Sequence, residues 1–427
     1  MNTRQESMEG KTLVAIDFAK RKNAILVEQR DGKRKSFMMS NCFEDFQKLL
    51  SYFRSLPSVL IAFEATGEYH RPLTSFLQGE GFTVRQVSTV AVSRTREALY
   101  NTWDKNDPKD AQVILHLMKT GVTQYYRDPL YDGTHDVIEL SRTYYHVSKR
   151  KTRTQHTIMT HFLPLYFPEM EKYYTQSRAM WFTGLLYRFP CPAAITKYTK
   201  SQFDKEAWDV VGRKVSKRVF LADVYKTAKE SIGLNIDEYS PAIKSFQLVL
   251  QEHQGLCQNR KHLEQQAEVL LDNSPDYHRL QTLPGVGPVV ALTILGEAGD
   301  LRRFNHHRQF LKFCGLDLST QQSGQFRGQT KLSKRGNARI RSAFWMAANI
   351  AVRMKANTFR SKYERYVQGD QHNPDLKRKA YTAVTAKMAR TAYSMIKHDT
   401  DYYPYHDAGL PSGKIPSRGS VEAEMTS

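Results

Sequence analysis

Apolar and polar positions change rhythm several times along this chain. Near the start, Leu13-Val14-Ala15-Ile16-Asp17-Phe18 and Ala24 to Gln29 are apolar runs rich in β-branched residues, and we read Thr12–Phe18 and Ala24–Gln29 as strands. Asp31-Gly32 is a turn signal, and Lys35–Met39 returns as a third strand. Asn41 then caps a helix in which Phe43, Phe46, Leu49, Leu50 and Phe53 recur at helical spacing. Val59–Phe63 is a short buried-type strand. A helix with Leu73, Phe76 and Leu77 follows, then a strand over Phe82–Val87. A last helix runs from about Pro108 to Lys119, with Val113, Ile114, Leu117 and Met118 inward.

Three strands, helix, strand, helix, strand, helix is the element order of an RNase H-like fold, which assigns residues 11–125 to one α/β domain. Residues 130–280 read as mostly helical. Val137, Leu140, Tyr144 and Val147 have 3,4,3 spacing, and Val249, Leu256, Leu263 and Leu270 are seven apart. His253 and Arg260 spoil the second stripe as a long dimer seam, so a short antiparallel pair or a helix packed on its own domain competes with an oligomer seam. Pro190, Pro192 and the basic stretch Arg213 to Arg218 suggest an inserted or linking subdomain, and residues 130–280 carry few chemical signals. Residues 281–400 are helical and strongly basic. Residues 401–427, rich in Tyr, Pro, Gly and Ser, are expected to form a poorly ordered tail.

Composition narrows the partners. The formal net charge is +20 over 427 residues and the isoelectric point about 9.6, which favours a polyanionic partner such as nucleic acid. No apolar run approaches the roughly 18 residues of a spanning helix, so a membrane is not expected. No signal-peptide pattern opens the chain. Cys42, Cys191, Cys257 and Cys314 have neither CxxC nor His-linked spacing, which argues against structural zinc or a disulfide framework and makes a reducing cytoplasm the expected setting.

Four carboxylates then stand out. Asp17 ends the first apolar run, Glu64 ends the fourth strand before Ala65-Thr66-Gly67, and Asp107 and Asp110 open the last helix in Asn106-Asp107-Pro108-Lys109-Asp110-Ala111. Phosphodiester chemistry with divalent ions needs several carboxylates converging from different elements, and Mg²⁺ or Mn²⁺ accepts such oxygen ligands. Each acid also has an ordinary reading. Asp107 before Pro108 can be an N-cap, Asp110 can complete a capping-box-like pair, and Glu64 can be a loop carboxylate. Asp17 is harder to dismiss, because aspartate is disfavoured in strands and an unpaired buried charge is costly.

In the basic third region, Leu283-Pro284-Gly285-Val286-Gly287-Pro288 fits a helix–hairpin–helix turn, where Gly285 and Gly287 would let a phosphate approach backbone N–H groups. A Gly-containing helix connection without a ligand is the competing reading. Further on, Ser323-Gly324 lies in a loop hemmed by Arg327, Lys331, Lys334 and Arg335, before a helix with Arg339 and Arg341. These cations, with Arg302, Arg303, Arg308 and Lys312, suit phosphate contacts, which position nucleic acid without reading its sequence. Serine is a weak nucleophile unless a base, a metal or a positive field activates it, and no histidine lies close in sequence. Locally, Ser323 can equally be an ordinary loop serine.

Taken in order, Ala15-Ile16-Asp17, Glu64-Ala65-Thr66-Gly67-Glu68-Tyr69, Asp107-Pro108-Lys109-Asp110-Ala111, Leu283-Pro284-Gly285-Val286-Gly287, Arg303-Phe304, Gly315-Leu316, Ser323-Gly324 and Ser333-Lys334-Arg335-Gly336-Asn337 with Arg341 resemble the DEDD-type serine transposases. That is the insertion-sequence family related to the Piv and MooV invertases, whose better-studied members are guided by a bridge RNA. The resemblance covers roughly residues 11–125 and 280–395. It implies a RuvC-like domain with a metal-binding tetrad at Asp17, Glu64, Asp107 and Asp110, and a transposase domain with a nucleophilic serine at Ser323. It also implies a composite site across subunits of a dimer or tetramer, a middle coiled coil for assembly, donor and target DNA, and a structured noncoding RNA. Leu318, where family members often have proline, and Asn106, where they often have threonine, depart from the pattern.

The expectation is therefore a recombinase that moves or inverts a mobile element through a phosphoserine linkage. No P-loop GxxxxGK[ST] is present, in keeping with chemistry that conserves bond energy. A RuvC-like junction nuclease that uses water, or a nucleic-acid-binding scaffold without catalysis, are the alternatives.

Overall fold

The structure is a computed structural model. It describes residues 10–403 apart from 66, 101–106, 132, 177–179, 213–215, 321, 324–325, 329 and 356, and of residues 107, 108, 175, 176, 322, 323, 326 and 327 it describes the backbone alone. The chain divides into two compact units, 1–136 and 137–427.

Unit 1 is a mixed sheet flanked by helices. Its strands are β1 (Thr12–Asp17), β2 (Lys22–Glu28), β3 (Arg34–Ser40), β4 (Val59–Glu64), β5 (Thr83–Val87) and β6 (Gln124–Tyr125), in the order β3-β2-β1-β4-β5-β6. β1, β2 and β3 form an antiparallel meander, β1, β4 and β5 run parallel, and β6 closes the edge antiparallel to β5. Parallel strands need crossover helices, here α1 (Phe43–Arg54) and α2 (Arg71–Gly79). The arrangement is consistent with an RNase H/RuvC-like N-terminal domain. Alternation along β1 and β4 splits the core by face. Val14, Ile16, Ile61 and Phe63 pack with Leu49, Phe53, Leu73 and Leu77 of α1 and α2. Leu13, Ala15, Leu60 and Ala62 pack with Ala111, Ile114 and Met118 of α4 (Asp107–Lys119).

Two details differ from the sequence reading. Asn41 does not cap α1; Cys42 holds the N-cap position without a side-chain bond. Asn41 instead donates to the carbonyls of Ala19 and Lys20 and accepts from Asn23, tying the β1–β2 turn to the end of β3. An unforeseen helix, α3 (Thr89–Tyr100), precedes α4; it buries only Val92, too little to leave an apolar period.

Unit 2 is helical. In the middle region, α5 (His135–Thr157) and α6 (Pro241–Leu271) run antiparallel, held by Tyr144 to Glu264 (2.9 Å) near one end and Arg150 to Glu252 (3.2 Å) further along. The heptad stripe on α6 is not a uniform seam: Leu256 is buried, Val249 and Leu263 are half-buried, and Leu270 is exposed. Between these helices, short helices enclose an apolar core containing Phe162, Phe182, Phe203, Phe220 and Phe246, so the described residues of 160–240 form packed structure rather than a simple linker.

A second core serves α7 (Pro275–Gln281), α8 (Pro288–Ala298), α9 (His307–Phe313), α10 (Ala338–Arg353), α11 (Thr358–Val367) and α12 (Pro374–Lys397). The start of the expected tail is docked: the Tyr402 ring stacks on Phe359 at 5.7 Å, and its N–H donates to the Thr282 hydroxyl at 2.9 Å. The rest of that tail, 404–427, lies outside the described residues. No helix among the described residues is long and apolar enough to cross a membrane.

Candidate nucleic-acid active site

Register places the first two acids together. β1 and β4 pair in parallel from Thr12 opposite Val59 to Asp17 opposite Glu64. Residues opposite one another on adjacent strands, about 4.8 Å apart, project from the same face. By alternation that face is the one bearing Ala15 and Ala62, covered by α4. Asp17 is half-buried and Glu64 is buried.

α4 brings the other two acids at its beginning. Asp107 is its first residue, and its side chain lies outside the described residues, as does Asn106. Asp110, one turn on, is 1% exposed. Burying a carboxylate requires a partner, and the partner is Arg96 of α3, whose Nε donates to Asp110 at 2.6 Å. Arg96 is the residue that the sequence reading missed. Its helix had no apolar period to reveal it, and nothing in the sequence pairs it with Asp110.

The oxygen-only donor set of Asp17, Glu64 and Asp110, on elements sharing one face of the sheet, is chemically suited to a hard divalent cation. No ready-made group of three or more ligands occurs among the described residues, and the Asp110 carboxylate is occupied by a guanidinium.

Elsewhere in unit 1, Arg71 clamps Asp128 with Nε and Nη2 at 2.9 Å each. Burial would raise the Asp128 carboxyl, but Arg71 beside it holds it below the ordinary range. This pair fastens the segment after β6 to the start of α2.

In unit 2 the sequence-predicted serine lies on a short hairpin arm. Leu318–Ser319 pairs with Lys331–Leu332 as an inner ladder, and Gln322–Ser323 pairs with Phe326–Arg327 as an outer one, with Ser323 opposite Phe326. Thr320 and Thr330 hydroxyls meet at 3.1 Å between the two. The side chains of Ser323 and Arg327 lie outside the described residues. Leu318 is exposed, at the inner ladder.

The root of the arm is tightly braced. The Ser333 N–H donates to the Asp317 carbonyl at 2.9 Å, and its hydroxyl bonds the Asp317 carboxylate. Arg341 donates to the carbonyls of Cys314 (3.1 Å) and Lys334 (3.3 Å). Any Cβ on Gly336 would lie 2.4 Å from the Gly315 nitrogen, so only glycine permits this crossing. Asn337 caps α10, accepting from the N–H groups of Arg339 and Ile340, and donates to Glu297. Arg339 pairs with the same Glu297 at 2.7 Å.

The cations therefore divide by role. Arg339 and Arg341 are engaged in internal bracing, while Lys331, Lys334 and Arg335 are exposed. The two hairpin glycines divide as well. Gly285, at φ +83°, has the Ala347 carbonyl oxygen 2.2 Å from where a Cβ would stand, so its bare α-carbon serves close packing on α10. Gly287, the N-cap of α8, has open space there.

Residues 14–168 match a DEDD transposase family named for IS110, and residues 277–364 match the family described as "Transposase IS116/IS110/IS902 family". The chain is 29% identical over 143 residues to a probable family 20 transposase of Pseudomonas aeruginosa, covering 33% of this chain and 41% of that protein. It is 31% identical over 94 residues to the transposase for insertion sequence element IS1111A of Coxiella burnetii, covering 22% of this chain and 26% of that one. The matches thus span less than half the length of these curated relatives. With an acid-bearing α/β unit first and the second matched stretch on the helices that carry the Ser323 arm, the chain belongs to the IS116/IS110/IS902 family of transposases and carries its DEDD domain.

Proposed function

We propose that this protein is the DNA transposase of a mobile element, cutting and rejoining strands through a phosphoserine intermediate. The observation that supports this most is the in-register pairing of Asp17 with Glu64 on the sheet face covered by α4, the helix that carries Asp107 and Asp110. These four carboxylates would hold Mg²⁺ or Mn²⁺, which supplies charge neutralisation at the scissile phosphate. Ser323 Oγ attacks phosphorus and loses its proton. The P–O3′ bond breaks, and the departing 3′ oxygen takes up a proton as a free hydroxyl. Attack of that class of hydroxyl on the phosphoserine reverses the step and joins new strands, so no nucleotide cofactor is consumed. Exposed Lys331, Lys334 and Arg335 around the arm would hold the phosphate backbone, with Arg327 four residues after Ser323. Donor and target DNA are the substrates. A noncoding bridge RNA as guide, assembly as a dimer or tetramer, and action at the prokaryotic nucleoid in the cytoplasm complete the reading. Piv- and MooV-like inversion is its close variant.

The test is co-expression with the native flanking DNA and donor and target plasmids, followed by denaturing gels and peptide mass spectrometry. A covalent adduct on a Ser323 peptide, absent in Ser323→Ala and Asp17→Asn, is the expected result. Nicked DNA without adduct, undiminished in Ser323→Ala, would replace the serine mechanism with a hydrolytic, RuvC-like nuclease. Binding without cleavage under any Mg²⁺ or Mn²⁺ condition would leave a scaffold.

A further inference from the structure

Unit 2 contains a groove of about 1270 Å³ between α5, α6, α8 and α10, apart from the Ser323 arm. Its lining is mainly apolar. Val289 of α8 and Met346 and Ile350 of α10 line it, the last two each 50% exposed. Side chains of this kind are normally covered when they share one concave surface. One wall is cationic: α5 contributes Lys149 and Arg153, four residues apart so that helical geometry sets them along one side, with His156 beside them. Lys149 and Arg153 are exposed and have no ion-pair partner among the described residues. Arg339 reaches the same space and lies over the Tyr145 ring, 5.4 Å from its centroid. The acids on the α6 wall are Glu264, already engaged by Tyr144 and Arg260, and Glu268.

Two further features point to a polar ligand. The N-terminus of α8 opens into the groove at Gly287, where the first-turn N–H groups lack intrahelical partners and the helix dipole favours an anion. Ser141, 2% exposed, lines the groove with a buried hydroxyl that has no hydrogen-bond partner among the described residues.

An apolar lining with a cationic wall and an anion-seeking helix end matches an unpaired nucleic-acid strand. Bases of a duplex are stacked and hidden. Those of a single strand can lie on apolar, aromatic or guanidinium surfaces while its phosphates meet cations. We propose that this groove binds a short single-stranded stretch of nucleic acid, bases against Met346, Ile350 and the Tyr145–Arg339 pair, and phosphates against Lys149, Arg153 and the start of α8. The proposal rests on the nucleic-acid reading of the protein and adds a site separate from both the acids and the serine.

The test is fluorescence anisotropy on the full chain, with a labelled mixed-sequence single strand, as DNA and as RNA, beside the matching duplex. Lys149→Ala/Arg153→Ala and, separately, Met346→Gln change exposed helical positions and should leave the fold intact. Each is expected to weaken single-strand binding about tenfold and duplex binding less than about twofold. The tighter of the DNA and RNA arms names the source of the strand. A parallel loss for strand and duplex, or single-strand binding untouched by Met346→Gln, would overturn the groove. So would a Met346→Gln protein that sediments as a smaller species with strand binding unchanged, since a second copy would then occupy the site. Asp17→Asn separates this from the transposase reading: it should abolish strand transfer and leave single-strand binding unaltered. Wild-type protein that forms no adduct but binds strands through the groove would overturn the serine chemistry and leave the groove standing.

Discussion

Asp17 and Glu64 stand side by side because two buried parallel strands are in register, whereas Ser323 stands on the outer ladder of an arm braced at its root. In unit 1, slipping β1 by one residue against β4 would turn Ala15 and Asp17 toward the α1 and α2 face and force Ile16 onto the α4 face. The apolar cores on both faces therefore enforce the position of the acids. In unit 2, register is set locally by short pairings, and the fixed part is the crossing of Gly315, Gly336 and Arg341 beneath the arm. Two of the candidate carboxylates, Asp17 and Glu64, are built into the sheet, while the candidate nucleophile is carried outward on an extension. Under the proposed mechanism, such a division would suit a serine that meets its phosphate only when DNA is bound.

The largest expected effect breaks the comparison on the acid side. Asp17→Asn or Glu64→Gln should lower strand transfer by about a thousandfold or more, while calorimetry finds the melting temperature undiminished. An equal loss of stability would make these acids structural. Next, Gly285→Ala should destabilise unit 2 by about 3 kcal/mol, because its Cβ collides with the Ala347 carbonyl and its φ is positive. Gly287→Ala should cost only about 0.5 kcal/mol. Chemical denaturation distinguishes packing glycine from open glycine in this way.

Arg96→Ala should cost about 3 kcal/mol by leaving the Asp110 charge buried and unpaired. If Asp110 also serves a cation, Mg²⁺ should raise the melting temperature of this variant more than that of the parent. An equal response would separate Asp110 from the metal. A further effect is acid sensitivity in unit 2. His253 is buried on α6 beside Cys257, and burial, with Lys151 nearby, pushes its pKa down to about 4. The unfolded chain binds that proton at higher pH, so the stability it contributes is intact above pH 6.5. It is lost as pH falls toward 4, by roughly 2–3 kcal/mol at most. His253→Met should flatten that slope in melts from pH 7 to pH 4.

Much of unit 1 was legible in the sequence because its signals are local. Strands β1, β2 and β4 are short apolar runs buried on both faces, and α1, α2 and α4 carry the 3.6-residue period of a helix with one buried face. α3 and the two-residue β6 carry almost no buried surface, and they went unseen. So did Arg96, whose importance lies in one long-range pairing. The helical stripes of α5 and α6 were visible, but periodicity alone left open whether their partner was another copy or the same chain. Tyr144–Glu264 and Arg150–Glu252 show an antiparallel intrachain pair.

By itself the sequence determined which residues could serve phosphodiester chemistry and where most of the well-buried strands and helices lie, since residue chemistry and periodicity are properties of the chain. Only the tertiary structure decided that Asp17 faces Glu64, that Asp110 is held by Arg96, that Gly285 packs while Gly287 stays open, and that α5, α8 and α10 enclose a groove. Those are consequences of register and close packing between segments distant in sequence, which no local pattern encodes.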